Sequence, residues 1–374
     1  GVADLAASPT DWDVYRLGQP GGMALVPKKT IRPHQVEALD DVFAGFEHHD
    51  RGKLIMACGT GKTFTSLKAA ERVTEEKTEG HAHVLFLVPS ISLLNQTLRE
   101  WTEQVTVAMR SFAVCSDTKV GKRSSNEDIR AHDLAIPPTT DPTRLSTAIA
   151  EADADVAMTV VFSTYQSIDA VATAQRAGVA EFDLIVCDEA HRTTGVTLAE
   201  DDESAFVRVH DADYIRGARR LYMTATPRLF DENTKSKAAE ADAVLCSMDD
   251  ESVFGPEFHR LGFGKAVEAG LLTDYKVLVL NVDEGHIAKS FQAQLADENS
   301  ELRLEDAAKI VGCWNGLAKR GGLLISGEGF GDDTIPMRRA VAFSRSIKDS
   351  KAVTAKFQEL IAAYTEHHPD ALRC

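Results

Sequence analysis

The chain alternates between two textures. Short, unbroken apolar runs recur at residues 54–57, 84–88, 111–115, 159–162, 184–187 and 221–223. They lack the strict polar alternation of a half-exposed strand, so they predict strands buried on both faces of a parallel sheet that helices cover. Between the runs the apolar spacing becomes helical. Ile31-Arg32-Pro33-His34-Gln35 opens a stretch with Val36, Leu39, Val42 and Phe43 on one side. A Gly-rich turn after the first run leads into a second helical stretch ending near Glu76, and Leu93, Leu94, Leu98 and Trp101 mark a third. Strand–helix alternation over residues 30–228 predicts a doubly wound α/β domain.

The rest of the chain divides around that domain. Residues 1–29 read as a leader or linker, punctuated by Pro9, Pro20-Gly21-Gly22 and Pro27. Residues 116–157 are polar, rich in Asp, Thr and Pro, and read as a long insertion. Residues 229–260, with Asp249-Asp250-Glu251, read as a charged connector. A second α/β segment follows over 261–374, with helices expected at 261–271, 303–320 and 346–363 and strands at 275–282 and 340–343. The chain stops at Cys374, before a second sheet of normal size is complete, so this segment reads as part of a domain.

Composition narrows the class. A length of 374 residues suits two or three domains, and 44% apolar with 26% charged residues is ordinary for a globular protein. No stretch approaches the roughly 20 apolar residues of a membrane span. The N-terminus shows no basic region followed by an apolar run, and its Gly1 reads as a tag scar or the cut end of a longer chain. The six cysteines are scattered without zinc or redox spacing, which suits free thiols in the cytosol. The net charge of −16 argues against indiscriminate phosphate binding, so any case for nucleic acid must rest on motifs.

Two motifs carry chemistry. The string Met56-Ala57-Cys58-Gly59-Thr60-Gly61-Lys62-Thr63 follows a strand and opens a helix. Glycines there let successive backbone N–H groups converge on phosphate oxygens, and the helix N-terminus adds partial positive charge. Gly59, Thr60, Gly61, Lys62 and Thr63 are therefore expected to bind ATP, Lys62 on the β and γ phosphates and Thr63 on Mg2+. The strict pattern has Gly where this chain has Met56. Further on, Asp188-Glu189 closes the run 184–187, at the strand end where open α/β sheets bind ligands. Asp188 is expected to hold Mg2+ and Glu189 to act as general base on water.

Gly59-Thr60-Gly61-Lys62-Thr63, Asp188-Glu189-Ala190-His191 and Met223-Thr224-Ala225-Thr226-Pro227 together resemble motifs I, II and III of the superfamily 2 helicases and translocases. That family tolerates a non-Gly residue at the start of motif I. Arg32-Pro33-His34-Gln35 resembles its adenine-reading segment, Leu87-Val88-Pro89-Ser90 through Asn95-Gln96 its motif Ia, and Ser163-Thr164-Tyr165-Gln166-Ser167 its motif Ib. Val341-Ala342-Phe343-Ser344-Arg345-Ser346 resembles motif IV. The texture, including Gly270-Leu271-Leu272-Thr273-Asp274-Tyr275, is most similar to the motors of type ISP restriction-modification enzymes, then type I and III.

The resemblance implies a RecA-like domain followed by a partial second one. It implies ATP and Mg2+ as ligands, double-stranded DNA as track, and nuclease and methyltransferase domains in the same full-length chain. Gln35 would read the adenine edge. His191, Thr224 and Thr226 would couple the γ-phosphate to the DNA side, and Ser90, Asn95, Thr164, Tyr165 and Ser344 or Arg345 would touch DNA phosphates. Motifs V and VI of the family, with the arginine finger, lie beyond motif IV, so this stretch alone is expected to hydrolyse ATP poorly. A strand-separating repair or replication helicase is the first alternative, and a nucleotide-dependent binding module or switch is the second.

Overall fold

The computed structural model describes residues 27–77, 81–115, 138–151, 156–198, 205–231 and 243–275, with isolated positions between 313 and 358. The chain forms two compact units, Gly1–Thr273 and Asp274–Cys374. Most of the expected leader, residues 116–137 of the expected insertion and the core of the strand expected at 275–282 lie outside the described residues.

In the first unit, all six apolar runs are strands: β1 (Arg51–Met56), β2 (Ala82–Val88), β3 (Met109–Val114), β4 (Met158–Thr164), β5 (Leu184–Cys187) and β7 (Arg220–Thr224). With β9 (Glu257–Leu261) they make one sheet in the order β3-β4-β2-β5-β7-β1-β9, and every pairing is parallel. Both faces are covered. Successive side chains of a strand point to opposite faces, so Val84, Phe86 and Val88 enter one core and Leu85 and Leu87 the other. The first core is closed by α1 (Pro33–Phe46), α2 (Lys62–Glu75) and α3 (Ile91–Gln104). The second is closed by α4 (Pro142–Ala150), α5 (Ile168–Arg176) and the turn around Val209. Trp101 of α3 sets its ring edge-on against Phe86 and Phe162, at 5.2 and 5.4 Å, which fixes α3 over β2 and β4.

Helix starts follow local chemistry. Pro33 opens α1 at a position whose N–H has no helical partner. Ser90 caps α3, its hydroxyl oxygen accepting from Leu93 N at 3.3 Å, and the Asp141 carboxylate caps α4 through Thr143 N and Arg144 N. The helix α4 lies in a stretch that reads as a polar insertion, because only Leu145 and Ile149 of it are buried. Outside the main sheet, β6 (Gly195–Leu198) pairs antiparallel with β8 (Ala243–Cys246).

The first unit extends well past the boundary expected at residue 228. Strand β9 falls within the expected connector, yet it is the edge strand beside β1. The register steps from Lys53–Glu257 to Leu54–His259, so Phe258 has no partner in β1. Its ring fills a slot between α1 and β1 that two glycines leave open. A Cβ on Gly45 would lie 2.2 Å from that ring, and one on Gly52 2.3 Å. Phe46 meets the same ring edge-on at 5.1 Å. After the short helix α6 (Glu251–Phe254), the helix expected from 261 starts late, as α7 (Phe263–Glu268), and packs Ala266 into the first core.

In the second unit, Cys313, Gly316, Leu317, Ser350, Lys351, residues 353–355 and residues 357–358 are helical, within the helices expected there. The strand expected at 340–343 is not formed: those residues carry no regular secondary structure and have no strand partner among the described residues, with Val341 82% and Phe343 96% exposed. An apolar run becomes a strand only when a neighbouring strand takes its N–H and C=O groups. No described helix is long and apolar enough to cross a membrane.

The slot for Phe258 generates a stability prediction. Gly52→Ala should lower unfolding stability by about 1–3 kcal/mol through overpacking. Adding Phe258→Ala should cost less in that background than alone, because the clashing ring is gone. Denaturant melts of the single and double variants test this, and strictly additive losses would refute the slot.

Candidate nucleotide-binding site

Strands β1, β7 and β5 lie side by side and run parallel, so the loops after them open at one edge of the sheet. The loop after β1 is the phosphate-loop string. Gly59 and Gly61 hold φ values of 84° and 90°, a region that L side chains seldom adopt. Gly61 is the residue at the start of α2, and its carbonyl accepts from Thr65 N and Thr65 Oγ1, at 2.9 and 3.1 Å. Thr60 Oγ1 donates to Ala57 O at 2.7 Å, closing the turn. Lys62 Nζ donates to Met56 O at 3.1 Å, so the residue in place of the usual first glycine holds the lysine through its carbonyl. Thr63 is partly exposed, and its carbonyl accepts from Ser66 Oγ and from Trp101 Nε1.

Several neighbours brace this loop. His34 Nε2 lies 2.9 Å from Thr60 O. Gln35 is buried, its Nε2 lying 3.4 Å from Thr60 O and 3.3 Å from Gly61 O, while its Oε1 accepts from Arg32 N at 3.0 Å. The Gln35 amide thus lies against the loop and the helix start. Leu272 arrives from the turn after α7, where Gly270 at φ 67° ends the helix. Its Cδ2 would lie 3.1 Å from a Cβ on Gly59.

The acidic box follows β5. Asp188 is 7% exposed, and burial, reinforced by the neighbouring Glu189 charge, pushes its pKa up to about 6. The Glu189 N–H donation and the Lys62 charge act in the opposite sense. A carboxylate so poorly solvated beside a lysine suits a cation as its partner. Glu189 adopts left-handed φ and ψ of 49° and 45°, a conformation costing a non-Gly residue about 1–3 kcal/mol. Two bonds hold the peptide before it: Glu189 N donates to Asp188 Oδ1 at 3.0 Å, and Asp188 O accepts from Tyr165 Oη at 2.9 Å. Glu189 Oε2 lies 3.3 Å from His191 Nδ1, which lies 3.0 Å from Thr224 Oγ1 on β7. Thr226 N donates to Thr224 Oγ1 at 3.1 Å. The structure thus links Glu189, His191, Thr224 and Thr226 in one polar line. Burial first, with Arg192 and Arg228 acting in the same sense and the Glu189 charge against them, lowers the His191 pKa and favours the neutral ring near pH 7.

The family model for the type III restriction enzyme, res subunit, matches residues 28–229. The chain belongs to that family. It is a superfamily 2 helicase-like motor with a RecA-like α/β fold. It is similar to the solved ATP-dependent type ISP restriction-modification enzyme LlaBIII bound to DNA, at 42% identity and a TM-score of 0.80, over 97% of this chain and 23% of that one. It is also similar to a nuclease-deletion mutant of the type ISP enzyme LlaGI with a DNA substrate mimic, at 37% identity and a TM-score of 0.62, over 89% of this chain and 22% of that one. Among curated proteins, Probable helicase A859L of African swine fever virus is 30% identical over 66% of this chain and 24% of its own length. The type I restriction enzyme EcoAI endonuclease subunit of Escherichia coli is 25% identical over 68% and 25%. The chain thus spans about a quarter of the length of these relatives.

The residues expected to touch DNA divide on burial in this res-subunit motor. Tyr165 is fully buried and Thr164 is 4% exposed, its Oγ1 lying 3.2 Å from Ser167 Oγ, so neither presents a surface for phosphate. Their apolar surroundings and the Asp188 carbonyl claim them instead. Gln166, between them and Ser167, is exposed, and its Nε2 lies 3.4 Å from Pro89 O. Ser90 and Asn95 are partly exposed, and Asn95 Oδ1 is a buried acceptor without a hydrogen-bond donor among the described residues. Ser344 and Arg345 lie outside the described residues.

Sequence reasoning missed His34, Trp101 and His210 as supports. His210 sits behind the acidic box, 3.1 Å from Thr193 O by Nε2 and 3.0 Å from Tyr222 Oη by Nδ1. One neutral tautomer satisfies both, Nε2–H donating and Nδ1 accepting. Burial first, then Arg51 and Arg220, pushes its pKa down to about 4 from 6.5. The unfolded chain therefore takes up the proton first, and stability falls as pH drops from 6.5 towards 4.

Against a His210→Gln variant, the protein should lose on the order of 2–3 kcal/mol more between pH 7 and pH 4. Equal pH slopes in denaturant melts would show that the ring is not held neutral. At the loop, Gly61→Ala places a Cβ 2.3 Å from Gln35 Nε2 on a left-handed backbone. Affinity for a fluorescent ATP analogue with Mg2+ should fall about tenfold or more; unchanged affinity would exclude the loop as the binding element.

Proposed function

We propose that this chain is the ATP-binding core of a motor that moves along double-stranded DNA within a restriction-modification enzyme, driven by ATP hydrolysis. The observation that carries the reading is the polar line from Glu189 through His191 to Thr224 and Thr226, because it joins the acidic box to the strand lying against the phosphate-loop strand. The N–H groups of Gly59 to Thr63 and the Lys62 ammonium would hold the β and γ phosphates. The Thr63 hydroxyl and the Asp188 carboxylate would hold Mg2+, which supplies positive charge against the phosphate oxygens. Glu189 would accept the proton of the attacking water. His191, kept neutral by burial, would report the position of Glu189 to Thr224, and Thr226 is exposed at the end of that line.

Duplex DNA as the track is supported by the two solved relatives, one bound to DNA and the other to a DNA substrate mimic. Their names also support nuclease and methyltransferase domains in the full-length chain, since this motor accounts for 23% and 22% of their lengths. The viral relative's name favours a second reading, a helicase that separates strands.

In the full-length protein, Lys62→Ala should abolish ATP-Mg binding. Glu189→Gln should keep binding within a few-fold while kcat falls by about 100-fold or more. The intact enzyme should displace a triplex-forming strand without unwinding plain duplex. Efficient unwinding would favour the second reading, and ATP binding with no DNA stimulation of hydrolysis would point to a switch.

A further inference from the structure

We infer from the structure that Tyr165 is a positioning residue for the Glu189 carboxylate, acting through the peptide bond between Asp188 and Glu189. The inference rests on the reading of Glu189 as general base and adds to it a residue from the turn that follows β4.

The peptide plane is the place to look, because Glu189 holds a left-handed φ of 49°. A non-Gly residue stays there only when its surroundings over-determine the backbone. Three bonds do so. Asp188 N donates to Leu87 O at 2.9 Å, extending the sheet by one residue. Glu189 N donates to the Asp188 carboxylate at 3.0 Å. The carbonyl of the same peptide accepts from the Tyr165 hydroxyl at 2.9 Å. The first bond belongs to the sheet and the second to Asp188 itself. The third alone comes from outside, from the end of β4, with β2 between β4 and β5 in the sheet. Rotating the 188–189 peptide out of plane would break it and move Glu189 away from His191.

Tyr165 is itself held. Its side chain is fully buried, and its ring stacks on Phe206 with centroids 5.1 Å apart and planes 27° apart. The tyrosine therefore presents its hydroxyl as a fixed donor at low entropic cost. The same segment contacts Pro89 through Gln166 and ties Thr164 to Ser167. A shift of segment 164–167 would thus reach the Glu189 backbone directly, by a route separate from the His191–Thr224 bond.

The test uses the full-length enzyme and a Tyr165→Phe variant, which keeps the ring and removes the hydroxyl that meets Asp188 O and the Cys187 side chain. We expect kcat for ATP to fall about tenfold with KM within about twofold, and the thermal midpoint to shift by only a few degrees. A merely structural role is separated by a double-mutant cycle read in single-turnover hydrolysis. In a Glu189→Gln background, Tyr165→Phe should change the rate by less than about twofold, since the group it positions is gone. Equal losses in both backgrounds, or a Tyr165→Phe kcat within about twofold of the unaltered enzyme, would overturn the inference. Should Tyr165→Phe not fold, Phe206→Leu takes its place in the same cycle, with the same two outcomes deciding. A Glu189→Gln enzyme that hydrolyses ATP at the unaltered rate would instead overturn the base assignment, and the role of Tyr165 with it.

Discussion

Strand β7 lies between β1 and β5, and its two registers govern everything at the site. Thr224 stands beside Ile55 and Tyr222 beside Cys187. These pairings bring the phosphate loop, the acidic box and the Thr224–Thr226 segment to one edge of the sheet. They also set Thr224 where His191 can reach it. A slip of one residue would turn every β7 side chain to the opposite face. What prevents it is burial on both faces: Leu221 and Met223 fill one core while Tyr222 fills the other. The apolar packing of an ordinary strand thus sets where the Thr224 hydroxyl meets His191.

On that frame, the site concentrates the local conflicts that a purely stable domain would avoid. It has two glycines in left-handed conformations, a glutamate forced into the same region, and a buried carboxylate whose pKa is raised to about 6. The glutamate's backbone and the buried carboxylate are unfavourable alone, and under the proposed function all of them would serve phosphate or metal chemistry. Such departures from local rules are expected where function overrides stability. The surrounding braces are their counterpart. His34 and Gln35 hold the loop, Trp101 holds the Thr63 carbonyl, and His210 and Tyr222 support the segment after the acidic box.

The edge of the sheet shows how a domain boundary escapes a local reading. Residues 229–260 are charged and weakly patterned, yet Phe258 enters the space left by Gly45 and Gly52 and so fastens β9 to β1. One aromatic ring and two missing side chains decide it, at separations of about 200 residues along the chain. The stretch 340–343 is the reverse case. Its apolar residues resemble a strand, but they have no strand partner among the described residues and Phe343 is almost fully exposed.

Sequence by itself determined six of the seven strands of the main sheet, the three helices of the first face, and the identity of the loop and acidic-box residues. Periodicity reports burial, and the chemistry of glycine, lysine and carboxylate reports ligand type, so both are written locally. Tertiary structure alone decided the seventh strand, the contact of the Gln35 amide with the phosphate loop, and the burial of Thr164 and Tyr165. The tyrosine is the clearest case. Its neighbours in sequence mark a segment expected to touch DNA, but its hydroxyl finds the Asp188 carbonyl, a partner brought near only by the sheet order. Which acceptor a buried donor meets depends on how distant strands are stacked, and no local pattern encodes that.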